Sequence, residues 1–135
     1  MSPTLTNTLN LISAERSGEF NKSFDAVDCL LSEYGEKNLA ERLYSDIDPN
    51  IPWEVVADLY AILIWSTSDN GHALTNVTEQ WLENCTCLRQ VQIALNLDVY
   101  PFLNKSKMDK VLNKVALEFP ETSETCSKMI KTRNS

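Results

Sequence analysis

Residues 52–71, PWEVVADLYAILIWSTSDNG, constrain the possible folds more than any other stretch. Residues 55–65 are apolar except for Asp58, a run too short to cross a membrane and too long for an ordinary strand. Pro52 suits the first turn of a helix, where a missing N–H has no intrahelical partner to lose. Trp53, Val56, Tyr60 and Leu63 fall on one helical face, and Val55, Leu59, Ile62 and Ser66 on another. A helix that is apolar nearly all round has to be covered on most sides. The spacing predicts the central helix of an all-α domain, stopped by the turn Ser68, Asp69, Asn70, Gly71.

The flanking stretches supply the covering elements. Leu5, Leu9 and Ile12 suggest a short first helix, broken by Gly18, with residues 1–18 loosely held. Phe20, Phe24, Val27, Leu31 and Tyr34 mark the face of a second helix, which Gly35 ends in the favoured C-terminal position. Residues 36–44 read as a third helix burying Leu39 and Leu43, and residues 45–50, with two acids, an Asn and a Pro, as a loop. Beyond the central helix, Leu74, Val77, Trp81, Leu82 and Cys85 keep helical spacing, with Thr75 as a plausible N-cap. Leu88, Val91, Ala94 and Leu95 define another helix, and Pro101 interrupts residues 96–103. Ser106 and Asp109 resemble an acidic capping box before Met108, Val111, Leu112, Val115 and Phe119. Pro120 stops that helix, and Ser123 or Thr122 caps a last one burying Cys126, Met129 and Ile130. The expectation is one domain over residues 1–135, with about eight helices. They form either stacked hairpins of the HEAT kind or an irregular bundle. Val56, Leu59, Leu63, Trp65, Trp81, Val111 and Val115 are expected in one core. Trp53, Trp65 and Trp81 all read as core or core-edge, and one at the surface would be a natural interface anchor.

Charge narrows the function classes. The net charge is −7, with 15 acids against 5 bases over residues 1–100 and 7 bases against 4 acids thereafter. Such a chain repels nucleic acid and anionic membrane over most of its surface and attracts a basic partner. Lys107, Lys110 and Lys114 share one stripe that reads as a solvated face. No phosphate-binding glycine loop is present, and His72 is the only imidazole available to activate a nucleophile, so no enzyme is expected. Cys29, Cys85, Cys87 and Cys126 lack the spacing of a zinc finger or ribbon. They are expected to be reduced, with Cys29 and Cys126 at buried positions, without metal or cofactor. The absence of a secretory signal in the first twenty residues points to the cytoplasm.

The candidate binding residues are all acidic. Asp46 and Asp48 sit in the Pro-containing loop and Asp69 in the turn after the central helix. Glu79 and Glu83, four apart on one helical face with no obvious basic partner, are either incidental or placed for a basic protein. Asp58, inside the apolar run, has to face water, a cation or several donors. It is either the solvent-exposed position of a covered helix or part of an acidic binding surface.

Several segments carry a resemblance: LIWSTSDNG at 63–71, Trp81-Leu82, ALNLDVYPF at 94–102, Met108 with Val111-Leu112, and Phe119-Pro120. Across residues 53–133 the chain resembles the all-α immunity proteins of bacterial polymorphic toxins, including those of contact-dependent growth inhibition. Residues 1–50 carry no such likeness. The resemblance implies a small cytoplasmic protein that binds a cognate toxin domain, often a basic nuclease, and holds it inactive. Binding residues in that family vary with the toxin, so none is carried over. A helical adaptor in a complex without a toxin is the competing reading. Both are expected to be monomers that touch neither nucleic acid nor membrane directly.

Overall fold

The computed structural model describes residues 1–134. Among them, eight α-helices follow the hydrophobic pattern: α1 (Pro3–Glu15), α2 (Asn21–Tyr34), α3 (Leu39–Asp46), α4 (Trp53–Ser66), α5 (His72–Asn84), α6 (Leu88–Leu95), α7 (Lys105–Glu118) and α8 (Ser123–Arg133). A 3₁₀ turn at Pro120–Thr122 leads into α8. No strand occurs among the described residues, and none of their helices is long and apolar enough to cross a membrane.

The central helix is α4. It packs against α1, α2, α5 and α6 and buries Val56, Leu59, Tyr60 and Leu63 completely. Removing each such side chain from water contributes about 1.5–3 kcal/mol, which is why the least polar helix takes the middle. The Tyr60 hydroxyl donates to the carbonyl of Ala40 at 2.6 Å, and burial pushes its pKa far up, so it remains a donor. α3 lies on α5, α5 on α6 and α7, and α7 on α8. One helix surrounded by neighbours on several sides is an irregular bundle, the second of the two expected architectures.

The core is divided. One cluster joins α1 to α4 with Leu74, Ile93 and Leu97; the other holds Leu82, Val91, Met108, Leu112, Val115 and Cys126. Trp81 is half-buried and packs against both, with its ring 5.2 Å from that of Tyr44 and 6.1 Å from that of Tyr60. The single core expected from the sequence is therefore two clusters bridged by an indole. Two members of that expected core are misplaced by the linear pattern. Trp65 is 73% exposed, and Val111 is only half-buried. Trp65 is the last residue but one of α4, where the chain turns away and no neighbouring helix reaches over it.

Helix ends also depart from expectation. The short first helix expected from Leu5, Leu9 and Ile12 is α1, which runs from Pro3, is capped by Ser2 and buries all three side chains. Pro52 is the N-cap of α4 rather than a first-turn residue. α3 starts only at Leu39, after Asn38 in left-handed backbone, and it includes Asp46, which is therefore helical and not in a loop. α5 starts at His72; Thr75 lies inside its first turn, where its hydroxyl donates to the His72 carbonyl. Asn104, not Ser106 with Asp109, caps α7 by accepting from Lys107 N–H at 2.9 Å. Neither Thr122 nor Ser123 caps α8 with its side chain, because the 3₁₀ turn runs straight into it and the Thr122 hydroxyl donates back to Phe119. Cys126 is buried as expected, whereas Cys29 is exposed, on the outer side of α2.

Candidate functional site

The six candidate acids do not form one patch of free carboxylates. Each already accepts hydrogen bonds or pairs within the molecule. Asp46 accepts from the Tyr34 hydroxyl at 2.7 Å. Burial, reinforced by this carboxylate, raises the Tyr34 pKa to about 12, so the phenol stays a donor. Asp48 accepts from Asn50 N–H at 2.8 Å, closing the turn between α3 and α4. Asp69 accepts from Gly71 N–H at 3.0 Å and Ala73 N–H at 2.9 Å, at the start of α5. Those N–H bonds, led by that of Ala73, hold its pKa below the usual carboxylate value.

The two glutamates of α5 are likewise engaged. Glu79 is half-buried and accepts from Phe102 N–H at 2.9 Å, tying α5 to the loop between α6 and α7. Glu83 pairs with Lys107 at 3.2 Å, so the pair does have a basic partner, supplied by α7. Sequence spacing along α5 has no way to show a lysine brought in by another helix. Asp46, Asp48, Asp69 and Glu83 are nevertheless exposed and retain spare lone pairs, since a carboxylate offers about four acceptor sites.

Asp58 belongs to a more distinctive place. On α4, Asp58, Ala61, Ile62 and Trp65 fall on one side at spacings of three, four and seven. The start of α2 brings Phe20 and Phe24 opposite them, and the loop after α6 brings Asp98. Together they enclose a notch of about 130 Å³. Trp65 is 73% and Phe24 43% exposed. Isolated exposed apolar side chains are ordinary, but two aromatic rings lining one notch form a contiguous patch, which is the kind associated with interfaces. Asp58 carries Arg16 from the end of α1, whose Nε donates to Oδ2 at 2.6 Å. Thus the carboxylate within the apolar run is satisfied by a cation from another helix end.

A larger cleft of about 540 Å³ lies between α5 and the loop at 99–104, with His72, Glu79, Tyr100, Lys107 and Arg133 on its wall. Its cations are already engaged. Arg133 donates to the carbonyls of Phe102 at 2.8 Å and Leu103 at 2.9 Å, clamping the loop, and Lys107 holds Glu83 while lying over the Phe102 ring. His72 makes no side-chain hydrogen bond among the described residues. Cys87 instead meets the Tyr44 hydroxyl at 3.6 Å. Burial raises the Cys87 pKa, but the Gln90 N–H, the Tyr44 hydroxyl and Arg89 outweigh it, leaving the thiol below its usual value.

The aromatic notch was the feature missed in the sequence. Phe24 and Trp65 read there as core positions, and Asp98 as one residue of an interrupted segment. The one available signal was a tryptophan next to the end of an apolar helix, which makes a natural interface anchor when left at the surface. No family model matches the sequence, and neither a curated protein nor a solved structure matches it at a significant level.

Proposed function

We propose that this chain is an immunity-type protein, one that binds a cognate toxin domain in the cytoplasm and holds it inactive. The toxin chemistry that best suits its charge is a basic nuclease domain. The observation that carries the reading is the exposed Trp65–Phe24 pair beside Asp58 and Asp98, on a chain of net charge −7. Interfaces draw most of their energy from a few large aromatic anchors, while complementary charge speeds encounter and selects the partner. An acidic protein with an exposed indole has both parts. The resemblance of residues 53–133 to all-α immunity proteins supplies the toxin, and the fold class agrees with that family's. In this reading the free protein is a monomer and touches neither nucleic acid nor membrane.

The test is coexpression with the C-terminal domain of a large secreted protein encoded by the adjacent gene. Rescue of growth together with a stable one-to-one complex is the expected result. A complex with other cellular proteins, and no protection from any neighbouring product, would replace this reading with that of a helical adaptor.

A further inference from the structure

The notch is too small for an ordinary ligand and has the wrong chemistry for an anion. Small-molecule pockets run from about 300 to 1,000 Å³, whereas this opening of about 130 Å³ has room for one long side chain. It is lined by the apolar side chains of Phe20, Phe24, Ala61, Ile62 and Trp65 together with Asp58 and Asp98. Aromatic faces attract cations through the ring quadrupole, best of all over an indole, and carboxylates attract them by charge. The molecule already answers one of these carboxylates with a guanidinium, since Arg16 pairs with Asp58 at 2.6 Å. Asp98 has no counterpart to Arg16: among the described residues its carboxylate makes neither a hydrogen bond nor an ion pair. It is nevertheless held at φ 60°, a left-handed conformation that Asp and Asn tolerate better than most residues. Of the two charges, one is answered from within the chain and the other is not.

We propose that the notch seats an arginine or lysine side chain of a protein partner. The aliphatic stem lies across Trp65 and Phe24, and the cationic head rests against Asp98. This names the chemistry of the partner's anchor and rests on the protein-binding reading above. Basic residues are what a nuclease groove presents, and a long side chain with an apolar stem and a charged head matches a notch lined by apolar side chains and carboxylates. Arginine suits it better than lysine, because a planar guanidinium stacks on indole and pairs with a carboxylate at once.

The experiment titrates ¹⁵N-labelled protein with an arginine–glycine repeat peptide, using a glutamate–glycine repeat of equal length as control. Shifts should centre on the Trp65 indole N–H and the amides of Ala61 and Asp98, with the acidic peptide silent. Asp98→Asn, which keeps the backbone preference, should weaken binding about three- to fivefold at low salt, and Trp65→Ala about tenfold. Both positions are exposed, so the thermal midpoint should stay near that of the parent protein. No binding, shifts centred on Asp46 and Asp48, or the parent's affinity retained in both variants would overturn the proposal. Toxin neutralisation is scored separately. A toxin neutralised equally well by both variants removes the notch and leaves the immunity reading standing. Peptide binding at the notch without neutralisation of the adjacent gene's product does the reverse.

Discussion

Two constraints coincide at Gly71. Its φ of +78° belongs to the left-handed region, and a β-carbon added there would lie 2.8 Å from the Cα of Ile64. Gly71→Ala should therefore combine backbone strain with overpacking and cost about 2–4 kcal/mol, measured by chemical denaturation. Leu63, fully buried in α4, is the complementary case. Leu63→Ala should cost about 2–5 kcal/mol, the upper end applying if the cavity stays open. The cysteines give a graded readout at the same scale. Cys29 is exposed and Cys87 half-buried, while Cys85 and Cys126 are buried with thiol pKa values raised by desolvation. A thiol reagent should modify Cys29 first in the native protein and reach Cys85 and Cys126 only on unfolding. Equal rates at all four would contradict the packing of the second cluster.

At the scale of helices, acids serve as fasteners for the ends of neighbouring elements. Glu15, at the end of α1, accepts from the N–H groups of Lys22 and Ser23 and from the Ser23 hydroxyl, so it caps α2 in place of the absent N-cap side chain. Glu36 accepts from Ser68 N–H and hydroxyl and ties the start of α3 to the turn after α4. Asp69 caps α5 and Glu79 holds the loop before α7. The hydrogen bond from Ser23 chiefly lowers the Glu15 pKa, as the N–H of Ala73 lowers that of Asp69. A depressed folded pKa means stability that is present above the unfolded value and lost as pH falls through the folded one. Stability should thus be flat near neutrality and fall below about pH 4.5, where unfolded carboxylates begin to protonate. Asp69→Asn and Glu15→Gln should each flatten that acid limb in a pH series of thermal midpoints. Asp69→Ala should cost about 1 kcal/mol at neutral pH through loss of the cap.

Across the whole molecule, the excess of acids sets how it meets a partner. Association with a basic toxin should slow by about tenfold or more as ionic strength rises from roughly 0.01 to 0.5 M, read by stopped-flow fluorescence. Joint charge reversal of Asp46 and Asp48 tests diffuse attraction, since both are exposed and each contributes one local hydrogen bond. The same change at Glu79 and Glu83 would also release Phe102 N–H and Lys107, so the milder Glu79→Gln is the informative variant there. Reversing Lys110 should leave neutralisation unchanged. If Lys110 proves essential and the acids dispensable, the binding face lies on α7 and α8 instead.

The helical class, the number of elements and the central place of residues 53–66 were legible in the sequence, because apolar spacing dictates which faces must be covered. The stops at Gly35, residues 68–71 and Pro120 were legible for a local reason, since glycine admits the positive-φ backbone that ends a helix and proline cannot continue one. The caps supplied by Glu15 and Asp69 were not, nor was the partner of Glu83, because each depends on where another element comes to rest. Trp65 shows the limit most directly. Its place on an apolar helix predicts burial, yet coverage depends on the neighbours' reach, and the start of α2 leaves Trp65, Phe24 and Asp98 exposed around an open notch. Charge and hydrophobicity are properties of residues and can be read in order along the chain. The notch is a juxtaposition of residues 20–24, 58–65 and 98, and only folding brings those three segments together.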